Sequence, residues 1–156
     1  MTGKRTQQVL NQVHAYNALH SLYEKFCELV EKHSLQQMGI KLGPGDVNSR
    51  QLSVLNHSCR MRFSVRPMPD KMLGRLIVER VVSDKDTRTL FTVFFDSLGN
   101  ATETPDDSMS WHYSLTMPSN VYEWFGVRVL EEFFANLAAG DGPSVGGLMK
   151  VPISGV

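Results

Sequence analysis

Three arginines stand in a row in the stretch SCRMRFSVRP, residues 58–67. Successive side chains of an extended strand point to opposite faces, so Arg60, Arg62 and Arg66 share one face with Ser64, and Cys59, Met61, Phe63 and Val65 share the other. Like charges at i and i+2 repel unless something negative lies across them, so this row calls for carboxylates or phosphates. Three sources of negative charge are open. The first is the acidic second half of the chain, chiefly Asp106, Asp107, Glu131 and Glu132. The others are an acidic protein partner and a phosphate-bearing ligand.

A second set that could do chemistry is His112-Tyr113-Ser114, with Thr116 two further on. On a strand, a histidine and a hydroxyl two residues apart project from the same face and could both reach one phosphate. This spacing resembles half of the two-histidine phosphoesterase signature. Such enzymes need a second copy, because one imidazole activates the nucleophile while the other protonates the leaving oxygen. The other candidate half is His57-Ser58-Cys59, which has Cys where the hydroxyl would stand.

The remaining reactive residues point to structure. His20 and Glu24 are spaced i, i+4 on a helical pattern with Glu28 one turn on, which reads as a helix pair and not as a metal site. Cys27 and Cys59 both lie on apolar stripes and read as buried thiols. Gly43-Pro44-Gly45 lacks the following helix and the Lys-Ser/Thr of a phosphate loop. No metal and no cofactor is implied.

The elements that must position these residues follow from periodicity. From about Thr6 to Met38, apolar residues recur at Val9, Val13, Tyr16, Leu19, Tyr23, Phe26 and Val30, a long amphipathic helix that Gly39 and LGPGD end. Such a helix outruns any strand beneath it, so part of it must overhang or break. Strand patterns follow over 51–66, 75–83, 88–96 and 108–117, joined by turn-rich connections. The first and fourth have one polar face and read as edges. The second and third are apolar on both parities and read as central. Helices sharing one face of such a sheet would leave Ile77, Val81, Leu90 and Phe94 open on the other.

Pro118 with Ser119 or Asn120 then starts a second helix, Asn120 and Glu123 having capping-box spacing, and Gly140 closes it. Gly126 in its middle implies close approach of another backbone. The fold class is therefore α+β: a long N-terminal helix, a four-stranded antiparallel meander, a C-terminal helix and a Gly-rich tail. Residues 1–139 form one domain, and 140–156 form a flexible tail or a late edge strand.

Length and charge bound the function. At 156 residues, 42% hydrophobic and 21% charged, the chain supports one core. Its net charge is zero, which disfavours a nucleic-acid binder. Residues 1–88 nevertheless hold 14 Lys and Arg against 8 Asp and Glu, and residues 89–156 hold 2 against 8, so the halves carry +6 and −6. No stretch approaches a membrane span, and the cysteine usage fits the cytoplasm. The expectation is a non-enzymatic cytoplasmic interaction module: an adaptor, a chaperone-like factor or an inhibitor of another macromolecule. It would bind a protein partner, possibly acidic, through Arg60, Arg62, Arg66 and His112. A homodimer, formed through the first helix or the second sheet face, is also expected. The alternative is a small hydrolase or phosphate-ester-binding protein using His112 and Ser114, with His57.

Overall fold

The computed structural model describes residues 2–33, 35–106 and 111–140. Helix α1 (Thr2–Lys32) leads into a 3₁₀ turn (Gln36–Met38) and then a sheet of seven strands. These are β1 (Ile40–Gly45), β2 (Ser49–Val54), β3 (His57–Pro67), β4 (Met72–Ser83), β5 (Asp86–Phe95), β6 (Asn100–Thr102) and β7 (Tyr113–Ser114). Each pairs antiparallel with its sequence neighbours, so the sheet is a meander in the order β1 to β7. A C-terminal helix follows without a break, from a first turn α2 (Pro118–Asn120) through a π-helical turn (Val121–Gly126) to α3 (Val127–Ala139).

The meander is longer than its periodicity predicts, with seven strands instead of four. The first expected strand, 51–66, is two strands, because Leu55 and Asn56 both take positive φ (49° and 68°) and turn the chain back. The Leu55 N–H donates to the Gly39 carbonyl at 2.8 Å, which ties this turn to the end of the 3₁₀ turn. Leu42–Gly45 of the LGPGD stretch, expected as the end of the helix, are instead the last four of the six residues of β1, with an irregular register between Leu42 and Gly45. Asp46 closes that hairpin by accepting the N–H groups of Asn48 and Ser49. Helix α1 accordingly stops at Lys32, six residues short of Met38, and Gly39 supplies the left-handed residue (φ 73°) after the 3₁₀ turn.

The strand expected over 108–117 contracts to Tyr113–Ser114, and its residues 108–110 lie outside the described ones. Ahead of it Asp96 accepts the N–H groups of Leu98 and Asn100 and so turns the chain into β6, within a stretch that reads as loop. At the C-terminal helix the capping-box reading is also corrected. The Asn120 amide donates to the Ser114 carbonyl instead, and Met117 is the N-cap with Pro118 in the first turn. The expected tail, beyond Gly140, lies outside the described residues.

Both helices pack on one face of the sheet. Leu19, Tyr23, Phe26 and Val30 of α1 share a single buried cluster with Val121, Phe125, Val129 and Phe133. Phe125 bridges the layers, meeting Phe26 at 5.0 Å and Phe91 of β5 at 6.2 Å between ring centroids. Gly126 fits closely there, since a Cβ would lie 2.7 Å from Met38 Sδ and the Met38 side chain would have to shift to admit it. The close approach comes from the side chains of Met38 and Leu35, not from another backbone. The core-facing row of β3 is Cys59, Met61 and Phe63, as its alternation predicts, but β3 is flanked by β2 and β4 and is no edge.

Candidate functional site

The face of the sheet turned away from the helices carries the arginine row. Register sets its pattern: Arg60 lies opposite Glu79, Arg62 opposite Ile77, Ser64 opposite Arg75 and Arg66 opposite Leu73. On the other side of β3, Gln51 and Ser49 of β2 lie opposite Arg60 and Arg62. Among the described residues no helix covers this face.

Glu79 organises the row. Its Oε2 accepts from Arg60 Nε at 2.7 Å and from Arg62 Nε at 2.9 Å. The carboxylate is buried, 3% exposed, while the two arginine side chains remain about 40% exposed (41% and 39%). A buried carboxylate needs such partners, because taking it out of water unpaired costs several kcal/mol. Two guanidiniums meet one carboxylate, so the cluster keeps one positive charge in excess.

The rest of the face extends this pattern. Arg75 Nε donates to Ser64 Oγ at 2.8 Å across the ladder, a pair between a cation and a neutral hydroxyl. Arg66 lies over the Phe94 ring at 5.4 Å and 3.6 Å from Asp106, whose side chain is mostly exposed. Among the described residues, these four arginines have two carboxylates at ion-pair distance, Glu79 and Asp106, and Asp46 adds a weaker field at Arg60. Their stems help to cover the apolar residues of this face: Leu73 and Ile77 are buried and Phe94 is half-buried. Of the patch expected to stand open, Val81 is half-buried too. Leu90 falls at a register irregularity opposite Val78 and Glu79 and belongs to the core cluster.

Of the acidic residues expected to meet the row, only Asp106 does so among those described, and Asp107 lies outside them. Glu131 and Glu132 instead hold Arg128, with Glu103 making two parallel 2.8 Å hydrogen bonds to the same guanidinium. The Glu103 hydrogen bonds, more than those of Glu132 and Glu131, raise the Arg128 pKa further above its ordinary value. Glu79 and Arg75 were not singled out by sequence reasoning. Their signal was present, since both share the parity of Ile77 on a strand otherwise rich in apolar residues.

The histidine set is arranged differently. His112 is exposed and precedes β7, with its ring at 6.3 Å from that of Tyr113. The Ser114 hydroxyl is 2.9 Å from Thr116 Oγ1 and accepts the Thr116 N–H at 3.2 Å. His57 opens β3, with three strands between it and β7 in sheet order, and its ring meets Phe133 at 5.0 Å. The structure therefore places His112 just ahead of the short strand that carries Ser114 but gives His57 other partners.

His20 spans to Glu24 at 3.5 Å and to the Val47 carbonyl at 2.7 Å, which fastens the β1–β2 hairpin to α1. Among the described residues no group of three His, Cys, Asp or Glu is placed to hold a metal ion. Cys27 and Cys59 are free and buried, and burial pushes both thiols up to about 11. No helix among the described residues is long and apolar enough to cross a membrane. Compared with known proteins, the chain matches no family, no curated protein and no solved structure.

Proposed function

We propose that the protein is a non-enzymatic interaction module of the cytoplasm, an adaptor, chaperone-like factor or inhibitor, that docks an acidic protein on the open face of its sheet. The observation that carries this reading is the excess, among the described residues, of guanidinium over ion-paired carboxylate on that face: Arg60, Arg62, Arg66 and Arg75 against Glu79 and Asp106. Glu79 holds the first two guanidiniums in fixed positions, so they lose little rotamer freedom when a carboxylate of the partner arrives. Ser49 and Gln51 lie on the same face and add neutral donors beside them. An acidic protein suits this surface better than nucleic acid, because the chain as a whole is neutral and phosphate backbones demand a larger cationic excess. The two free, buried thiols accord with a reducing compartment.

Removing the arginines alone would strand Glu79, so the test replaces the whole cluster. In Arg60→Gln, Arg62→Gln and Glu79→Gln combined, amides keep the hydrogen-bonding pattern and the charge is gone. Wild type immobilised in native cytosol should retain an acidic protein that high salt releases. The triple variant should melt near the wild-type temperature and bind the purified partner at least tenfold more weakly, mainly through slower association. Equal binding of the folded triple variant, or retention of RNA in place of protein, would overturn the reading.

A further inference from the structure

Two apolar stripes of this chain remain in solvent. The first lies on the overhanging half of α1: Leu19, Tyr23, Phe26 and Val30 are buried on the sheet, whereas Val9, Leu10 and Val13, turned roughly a quarter-circle or more away from that row at about 100° per residue, are 56%, 45% and 47% exposed. All of residues 3–14 are exposed. Gln8, Gln12 and Ala15 continue the sheet-facing side of the helix, and with Asn11 they face the turn between β3 and β4 across a cavity of about 310 Å³, so the apolar side of the overhang looks elsewhere.

The second stripe runs along the outer flank of the C-terminal helix. Val127, Leu130, Phe134 and Leu137 follow i, i+3, i+7, i+10 spacing, the seam of a helix that pairs with another helix, with Leu130 half-buried against the core and the other three exposed. Val129 and Phe133 already bury the core side, and Phe134 is 54% exposed. The two stripes match in length, about 18 Å for residues 3–14 and about 16 Å for 127–137 at 1.5 Å per residue. They also match in charge. Lys4 and Arg5 stand exposed about one turn before Val9 on a stretch without an acidic residue, a net of +2, and the C-terminal helix carries Glu123, Glu131 and Glu132 against the Arg128 that the last two already hold, a net of −2.

We infer that two copies of this chain form a reciprocal dimer, in which the overhanging half of α1 of each copy lies along the 127–137 flank of the C-terminal helix of the other. Like-with-like pairing is disfavoured by charge: two α1 overhangs would bring Lys4 and Arg5 of one copy into the field of the other's, and two C-terminal helices would bring Glu123 and Glu131 together. Exchange of unlike helices satisfies both charges. It makes the contact twice about a two-fold axis, so each copy contributes both surfaces and none is left over to extend a filament. The arrangement leaves the arginine face open and does not rest on the reading of that face.

Light scattering tests it. The wild type should show twice the 17.5 kDa chain mass at about 50 μM, a concentration well above the micromolar dissociation constants of specific dimers. Val9→Glu with Val13→Glu should give a monomer, and so should Phe134→Glu with Leu137→Glu, at unchanged circular dichroism because all four positions are exposed. Mixing the two variants restores one of the two contacts, so the mixture should recover dimer at roughly ten times the concentration or more. Lys4→Glu with Arg5→Glu should weaken the wild-type dimer, and adding Glu123→Lys should restore part of it. A monomeric wild type would overturn the inference. So would a dimer lost on changing only one of the stripes, or a mixture that stays monomeric.

Discussion

Arg60 and Glu79 face each other across the β3–β4 ladder, with Nε 2.7 Å from Oε2 of a carboxylate that water hardly reaches. The two partners are unequal in burial, and that sets the direction of mutational effects. In Glu79→Gln the arginines, about 40% exposed, turn to solvent, and the loss should be about 1 kcal/mol. In Arg60→Gln with Arg62→Gln the carboxylate stays buried without a cation, and the loss should be about 2–4 kcal/mol. Urea unfolding of the two variants should show this order; the reverse order would mean that Glu79 gains little from its partners.

Gly74 of β4 lies opposite Phe95 of β5, and a Cβ on it would stand 2.2 Å from the ring. The ring is fully buried and has no room to retreat. Gly74→Ala should therefore cost about 1–3 kcal/mol by overpacking. Phe95→Leu, itself destabilising, should cost less in the Gly74→Ala background than alone, and a double-mutant cycle in urea measures that coupling.

The buried thiols give a pH dependence with a fixed sign. Below about pH 9 Cys27 and Cys59 are neutral in both folded and unfolded chains, and their contribution is fully present. Between 9.0, the ordinary value, and about 11 the unfolded thiols ionise while the folded ones stay protonated, so stability falls. The slope corresponds to at most about 2–3 kcal/mol per thiol over that interval. Cys27→Ala with Cys59→Ala should flatten the stability profile from pH 8 to 11 relative to wild type. At pH 8 a thiol reagent should label neither cysteine until the chain unfolds.

His112 is exposed at the start of the segment leading into β7, and its loss removes no core contact. His112→Ala should leave the melting temperature unchanged and binding of the acidic partner within about twofold of wild type. Assayed on a cyclic phosphodiester, wild type and variant should be equally inactive. Turnover by the wild type, lost by 100-fold or more in the variant, would establish the phosphoesterase alternative.

Local patterning determined the elements that need only one strong period. The alternation through Cys59, Met61, Phe63 and Val65 specifies which face of β3 is buried, whatever its neighbours are. The stripe from Leu19 to Val30 likewise specifies which side of α1 meets the core. The overhang of α1 follows from the same reasoning, because a helix of this length exceeds the sheet it packs on. Gly39 as a left-handed stop was legible too, although it ends a 3₁₀ turn and not the helix itself.

Tertiary structure decided what depends on partners distant in sequence. The turn at Leu55 and Asn56 carries no glycine to announce it, and the Gly39 carbonyl, far back along the chain, accepts the Leu55 N–H that holds it. Strands of two or three residues, such as β6 and β7, exist only because a neighbour supplies their hydrogen bonds; alone they cannot offset the entropy of ordering them. An amphipathic helix specifies its own buried side but not which sheet face it covers, so the choice that placed both helices together was set by Phe26, Phe91 and Phe125 meeting in three dimensions. The partner of the arginine row was hidden for the same reason. Arg62 reaches Glu79 only once the register of β3 against β4 is fixed, and a shift of one residue would have placed that carboxylate on the other face of the sheet.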